Sequence, residues 1–128
     1  MLTAFVAAGL LPPRVFSTQM QVERFLSNIR AVEEPIEKWK MLSALQDRNE
    51  TLFYKVMLEN ITEMAPIVYT PTVGQACQEF SNLFRKSRGM YYCANDRGEM
   101  SAMTANWPQS EVDVIVVTDG SRILGLGT

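Results

Sequence analysis

Apolar residues in the first half of the chain recur every three or four positions, and in the second half they bunch into short runs. Val22, Phe25, Leu26 and Ile29 fall on one helical face behind Ser17 and Thr18, either of which can cap its start. Pro35 suits the first turn of a second helix, whose face carries Ile36, Trp39, Leu42 and Leu45. Leu52, Phe53, Val56 and Met57 continue the pattern to about Asn60. Stripes of this kind are core or interface surface far more often than ligand sites.

Pro66 changes the texture. Ile67, Val68 and Tyr69 form a short β-prone run between Pro66 and Pro71, which predicts an edge strand or extended segment. Thr72 and Gln75 make a capping box for a helix whose face carries Val73, Ala76, Cys77, Phe80, Leu83 and Phe84. Arg85 and Lys86 suit its last turn, and Gly89 is a stop signal. Met90 to Ala94 reads as a strand closed by the turn at Asn95 to Gly98, and Glu99 to Trp107 as a short helix ended by Pro108. Val112 to Val117 is an almost unbroken aliphatic run, the pattern of a strand buried on both faces. Asp119 and Gly120 then signal a hairpin, with Arg122 to Leu126 as the returning strand.

The expected fold is therefore α/β, and α+β within these residues. A helical amino-terminal region, 1–65, is followed by the opening strands and helices of an α/β domain, 66–128. The last residues fall inside what reads as a strand or its exit loop. A domain rarely stops where a buried strand has just been laid down, so the pattern points to truncation.

Composition narrows the function classes. A chain of 128 residues, 47% apolar and 20% charged, is sized for one modest globular domain. Its 12 basic and 14 acidic residues give a net charge of −2, and no Lys/Arg cluster is present to neutralise phosphates, which argues against nucleic acid. The uncharged stretch from Met1 to Pro13 is too short to span a membrane and lacks a signal peptide's positive flank. No arginine precedes Arg14, so a cytoplasmic location is the default, with a mitochondrial or plastid one open if a leader is missing. Cys77 and Cys93 read as free thiols in a reducing compartment, although a disulfide is open to them. Histidine is absent, which removes the commonest general base and metal ligand.

The residues that remain for chemistry are few. Tyr69 lies within three positions of a proline on each side, which fixes its backbone. A phenol aimed in that way can act as a general acid, or it can be a core tyrosine with a satisfied hydroxyl; spacing alone favours the second. Arg122, after a tight turn, can grip a small carboxylate with its two-pronged guanidinium or be a solvated edge charge; here too the second is the stronger reading from spacing. Gly125 and Gly127 resemble the opening of a dinucleotide fingerprint, but neither a third glycine nor a helix follows, and we do not read a nucleotide site there. Asp96, Arg97 and Gly98 read as a turn.

Five strings taken together are more specific. Residues 66–74 (PIVYTPTVG), 116–127 (VVTDGSRILGLG), 9–13 (GLLPP), 47–54 (DRNETLFY) and 106–108 (NWP) resemble the malic enzyme family, in the family's order and at its approximate spacing. The resemblance implies oxidative decarboxylation of L-malate to pyruvate and carbon dioxide, with NAD or NADP as hydride acceptor and Mg²⁺ or Mn²⁺ as Lewis acid. By its place in VYTPTVG, Tyr69 matches the general acid that protonates the enol carbon. Arg122, in DGSRI, matches the arginine that holds the malate carboxylate near the nicotinamide. Arg24 and Arg48 fall where some members bind a carboxylate effector at a subunit interface. Their plainer reading, as helix-surface charges or ion pairs with Glu23, Asp47 or Glu50, is the stronger one.

The family continues past GLG with aspartate, where this chain has Thr128. The general-base lysine, the three metal carboxylates and the dinucleotide domain are not among these residues. No metal ligand is therefore expected in this chain, no cofactor is expected to bind it well, and by itself it is expected to be inactive. The resemblance also implies homo-oligomers. An alternative role is a non-catalytic oligomerisation or regulatory module that joins full-length subunits.

Overall fold

A computed structural model describes residues 14–86 and 88–126. The motif at 9–13 and the last glycine of GLG lie outside them. The chain divides into two compact units, one running to Val73 and the other from Gly74 on.

The first unit is built from helices with closely spaced caps. Helix α1 (Thr18–Arg30) begins at Ser17, whose Oγ accepts the Met20 amide at 3.2 Å, satisfying one of the first-turn donors that a helix leaves unpaired. Helix α2 (Pro35–Arg48) has Pro35 at its first position, where a missing N–H is harmless and the fixed φ already fits. One residue separates α2 from α3 (Glu50–Glu59). Asn49 closes α2 by donating its amide to the Leu45 carbonyl at 2.7 Å, and opens α3 by accepting the Leu52 amide on its side chain at 3.1 Å. Asn60 does a related job before α4 (Ile61–Val68), donating both its amide and its side-chain nitrogen to the Val56 carbonyl at 3.1 Å.

The apolar faces of these helices meet in one core. Helix α3 packs on α1, α2 and α4, and α2 also packs on α4. Val22 and Ile29 of α1, Leu42 and Leu45 of α2, Val56 of α3 and Met64 of α4 are the most fully buried side chains. Phe25 and Trp39, half-buried, close its margin. The stripes read from the sequence on α1 to α3 are therefore the surfaces that pack.

The β expectations fail. Among the described residues there is no strand, and the described chain is helical with turns, so the α/β reading is overturned. Ile67 and Val68, expected to be extended, end α4, with Pro66 inside it. The reason is burial: Met64 and Ile67, three positions apart, both reach the core only from a helix, and that outweighs the β preference of two branched side chains. Residues 112–117 form no strand, with Val114, Ile115, Val116 and Val117 78%, 76%, 86% and 89% exposed. A strand is defined by its neighbours, and no described segment lies alongside this one. Met90 to Cys93 is likewise unpaired, and Arg122 to Leu126 holds a 3₁₀ turn, Ile123–Gly125, in place of a returning strand.

The second unit is held by local contacts. Helix α5 (Thr72–Gln78), across whose length the division falls, and α6 (Phe80–Leu83) replace the single longer helix expected, because Glu79 at φ −98°, ψ 14° breaks the run. Gln75 donates its side-chain amide forward to the Glu79 carboxylate at 2.9 Å, whereas a capping box needs its side-chain oxygen to accept the Thr72 amide. Phe80, Phe84 and Tyr91 cluster, two pairs edge-on and one tilted, with ring centroids 5.6 to 6.5 Å apart. A 3₁₀ turn, Ala94–Asp96, precedes α7 (Met100–Thr104), and the Tyr92 hydroxyl meets Thr104 Oγ1 at 2.8 Å. Cys77 and Cys93 are free thiols.

Leu42→Ala, at a site 1% exposed, is expected to lower unfolding stability by about 2–5 kcal/mol, through lost transfer energy and a cavity. Leu58→Ala, at a site 78% exposed, is expected to stay within about 0.5 kcal/mol of the parent. Urea unfolding followed by circular dichroism separates them; equal effects would refute the assigned core.

Candidate functional site

Tyr69 caps the carboxyl end of α4 with extended backbone at φ −125°, ψ −161°. Its amide donates to the Ala65 carbonyl at 2.9 Å, and its carbonyl accepts the Val73 amide at 3.0 Å. The peptide bond between Thr70 and Pro71 is cis. The backbone of Tyr69 is thus tied on both sides while its side chain stands 62% exposed, and its hydroxyl has no hydrogen-bond partner among the described residues. A core tyrosine with a satisfied hydroxyl would be buried and paired. This phenol is neither, so it is free to meet a ligand.

The start of the same helix is held by charge. Arg30, the last residue of α1, forks onto Glu63 in the first turn of α4, Nε to Oε1 at 3.0 Å and Nη2 to Oε2 at 2.7 Å. Nη2 also reaches Asn60 Oδ1 at 3.4 Å. The Arg30 hydrogen bonds hold the Glu63 carboxyl below its ordinary range against an opposing desolvation, and the charges of Arg30 and Lys38 add to them. Both residues also suit the helix ends they occupy, a cation where α1 ends and an anion where α4 begins.

In the second unit, Arg122 immediately precedes the 3₁₀ turn, and its carbonyl accepts the Gly125 amide at 3.2 Å. The loop ahead of it is bound by its own side chains. Asp119 Oδ1 accepts the Ser121 hydroxyl at 2.7 Å and the Ser121 amide at 3.0 Å, which lowers the Asp119 pKa, and Thr118 Oγ1 accepts the Gly120 amide at 3.1 Å. Gly120 at φ 79° takes the left-handed conformation that such a turn asks of glycine. Arg122 is exposed, so its guanidinium is open to a carboxylate.

Arg24, exposed on α1, places its guanidinium carbon 5.3 Å from the centre of the Phe16 ring, and Arg14 lies 5.9 Å from the same ring. Arg48 is the exposed last residue of α2, where a cation suits the helix end. Tyr69, Arg24 and Arg48 belong to the first unit and Arg122 to the second. The Arg30–Glu63 pair escaped the sequence reading because its members are 33 positions apart and on different helices. Their terminal positions were the only local signal.

Among the described residues, no three His, Cys, Asp or Glu side chains come together as a metal site, and no helix is long and apolar enough to cross a membrane.

Residues 46–128 match the family described as malic enzyme, N-terminal domain. The NAD-dependent malic enzyme, mitochondrial, of Solanum tuberosum is 57% identical over 129 aligned residues, covering 93% of this chain and 21% of its own. The hydrogenosomal malic enzyme of Neocallimastix frontalis is 58% identical over 119 residues, covering 93% of this chain and 20% of its own. NADP-dependent malic enzyme 1 of Arabidopsis thaliana is 50% identical, with the same two coverages. The chain therefore spans about a fifth of the length of the curated relatives it matches.

If the Arg30–Glu63 pair supports the fold, its contribution follows the sign of the Glu63 shift. A carboxyl whose folded pKa lies below its unfolded one stabilises fully above the ordinary glutamate range and loses that contribution as pH falls through it. Between about pH 6 and 3, the melting temperature of the parent is expected to fall more steeply than that of Glu63→Gln. Parallel pH profiles in calorimetry would show that the pair contributes nothing.

Proposed function

The chain belongs to the malic enzyme family, and on that premise we propose that it supplies part of the active site of an enzyme that decarboxylates L-malate oxidatively to pyruvate and carbon dioxide, with NAD or NADP as hydride acceptor. The observation that carries this reading is the family match over residues 46–128, which contains both Tyr69 and Arg122.

The roles follow from what each side chain can do. Tyr69 donates its phenolic proton to the enol carbon left when carbon dioxide departs, giving the methyl group of pyruvate. An exposed hydroxyl on a tethered backbone supports that role, since the proton must be deliverable and its origin fixed. Arg122 binds a malate carboxylate with two parallel N–H bonds, which orients the substrate and carries no proton.

The described residues do not fit a metal or a dinucleotide. They gather no triad of metal ligands, and the 3₁₀ turn at Ile123–Gly125 lacks the strand–turn–helix setting in which glycines receive a pyrophosphate. The Mg²⁺ or Mn²⁺ and the NAD or NADP of this chemistry would be held by other residues, and no step here is routed through them. Arg24 and Arg48 are proposed as contacts for a carboxylate effector, supported by their exposure on the first unit. The relatives named mitochondrial and hydrogenosomal favour an organelle, mitochondrion or plastid, over the cytoplasmic default.

The test is a chimera in which this chain replaces the matching segment of the Solanum tuberosum relative. Malate-dependent NADH formation is expected from the chimera and none from the 128-residue chain alone. Tyr69→Phe is expected to lower kcat by about 10²–10⁴-fold. Arg122→Gln is expected to lower kcat/KM by about 10–100-fold, mostly through KM. A Tyr69→Phe chimera with parental kcat would remove the proton-donor reading.

A second reading has its own observation. Tyr54 and Leu58, one turn apart on α3, and Ile61 at the start of α4 are large apolar side chains left exposed. Such a face supports self-association, the non-catalytic role of an oligomerisation module. A concentration series by sedimentation is expected to show a dimer that Leu58→Glu disperses. A monomer at every concentration would end this reading.

A further inference from the structure

Helix α4 carries Tyr69 at its carboxyl end and is short, with Pro66 in its interior. A proline there has no N–H to donate, so the backbone ladder of α4 is incomplete in the turn that precedes Tyr69. Two things hold the helix in place. Met64 and Ile67 anchor its middle in the core, and the guanidinium of Arg30 clamps its first turn through both carboxylate oxygens of Glu63 and the Asn60 side chain. The core contacts fix how deep the helix lies. A charged fork of fixed planar geometry adds a second restraint, at the first turn, on rotation of the helix about its own axis. Rotation at the first turn moves the opposite end, where the Tyr69 amide is bonded to Ala65.

We infer that Arg30, Glu63 and Asn60 form a clamp that positions Tyr69, acting through the rotation of α4 and not by touching the substrate. This rests on the reading of Tyr69 as the proton donor. Glu63 and Arg30 are then positioning residues: losing the clamp misplaces the phenol and slows protonation, while substrate binding by other residues is untouched.

The test is a double-mutant cycle in the chimera described above. Glu63→Ala is expected to lower kcat by about 10-fold with KM for malate nearly unchanged, because a small misplacement of a reacting group is felt in the chemical step. In the Tyr69→Phe background the same change is expected to have no further effect, since there is no phenol left to misplace. The charge-swapped pair, Arg30→Glu with Glu63→Arg, is expected to recover most of the activity that Arg30→Glu alone loses. An equal loss in both backgrounds would mean a general structural role and would overturn the inference, as would an unchanged kcat in Glu63→Ala. If Tyr69→Phe itself has no effect, the proton-donor reading fails and this inference with it, a result distinct from either of those two.

A second measurement does not depend on the chimera folding. In the whole 128-residue chain, hydrogen exchange at the Tyr69 amide is expected to be about 10-fold faster in Glu63→Ala than in Glu37→Ala, which removes only an exposed pair within α2. Equal rates in the two variants would overturn the clamp.

Discussion

Everything in the first unit depends on α3 having apolar neighbours on several sides at once. Leu52, Phe53, Val56 and Met57 cannot all face one partner, and they are satisfied only because α1, α2 and α4 each take part of the surface. The short connections make that arrangement possible. Asn49 and Asn60 each end one helix and begin the next within a single residue, and each satisfies an otherwise unpaired helix-end group with its own amide or side chain. The packing of α4, and through it the place of Tyr69, follows from this.

Tyr69 combines an exposed side chain with a backbone tied at both ends. Its helix is buried at Met64 and Ile67, while the residue just past its end is exposed. A side chain needed for chemistry must reach solvent or substrate, yet its backbone must not wander. The bonds from Tyr69 to Ala65 and Val73 hold its backbone, and the Arg30–Glu63 pair ties the other end of α4 to α1. The pair is exposed, so its ionic attraction is screened and its contribution to stability is small.

The second unit is organised on a different principle. Gly74 and Ala76 are its buried positions among the described residues, and its order comes from short-range contacts. Examples are the three clustered rings, the Tyr92–Thr104 hydroxyl pair and the Asp96 carboxylate, whose bonds from the Cys93 amide hold its pKa down. The loop before Arg122 is shaped in the same way by Thr118, Asp119 and Ser121. Such contacts fix local conformation without a core.

Much of the helical half was legible in the sequence, because a helix buries one face and that need writes a three-to-four spacing into the chain. The cap at Ser17, the proline at the start of α2 and the core faces of α1 to α3 were readable for that reason, while the VYTPTVG and DGSRI motifs made Tyr69 and Arg122 candidates only through a family resemblance. Two things were not readable. Runs such as Ile67–Val68 and Val112–Val117 carry β preference, but preference becomes a strand only beside a partner; the first was drawn into a helix by its core contacts, and the second has none among the described residues. The pairing of Arg30 with Glu63 was equally closed, since a contact between two helices has no period in the sequence. What this sequence determined by itself is the apolar faces of α1 to α3; the tertiary structure decided which other apolar runs are buried and which side chains meet, because only packing converts a face into a contact.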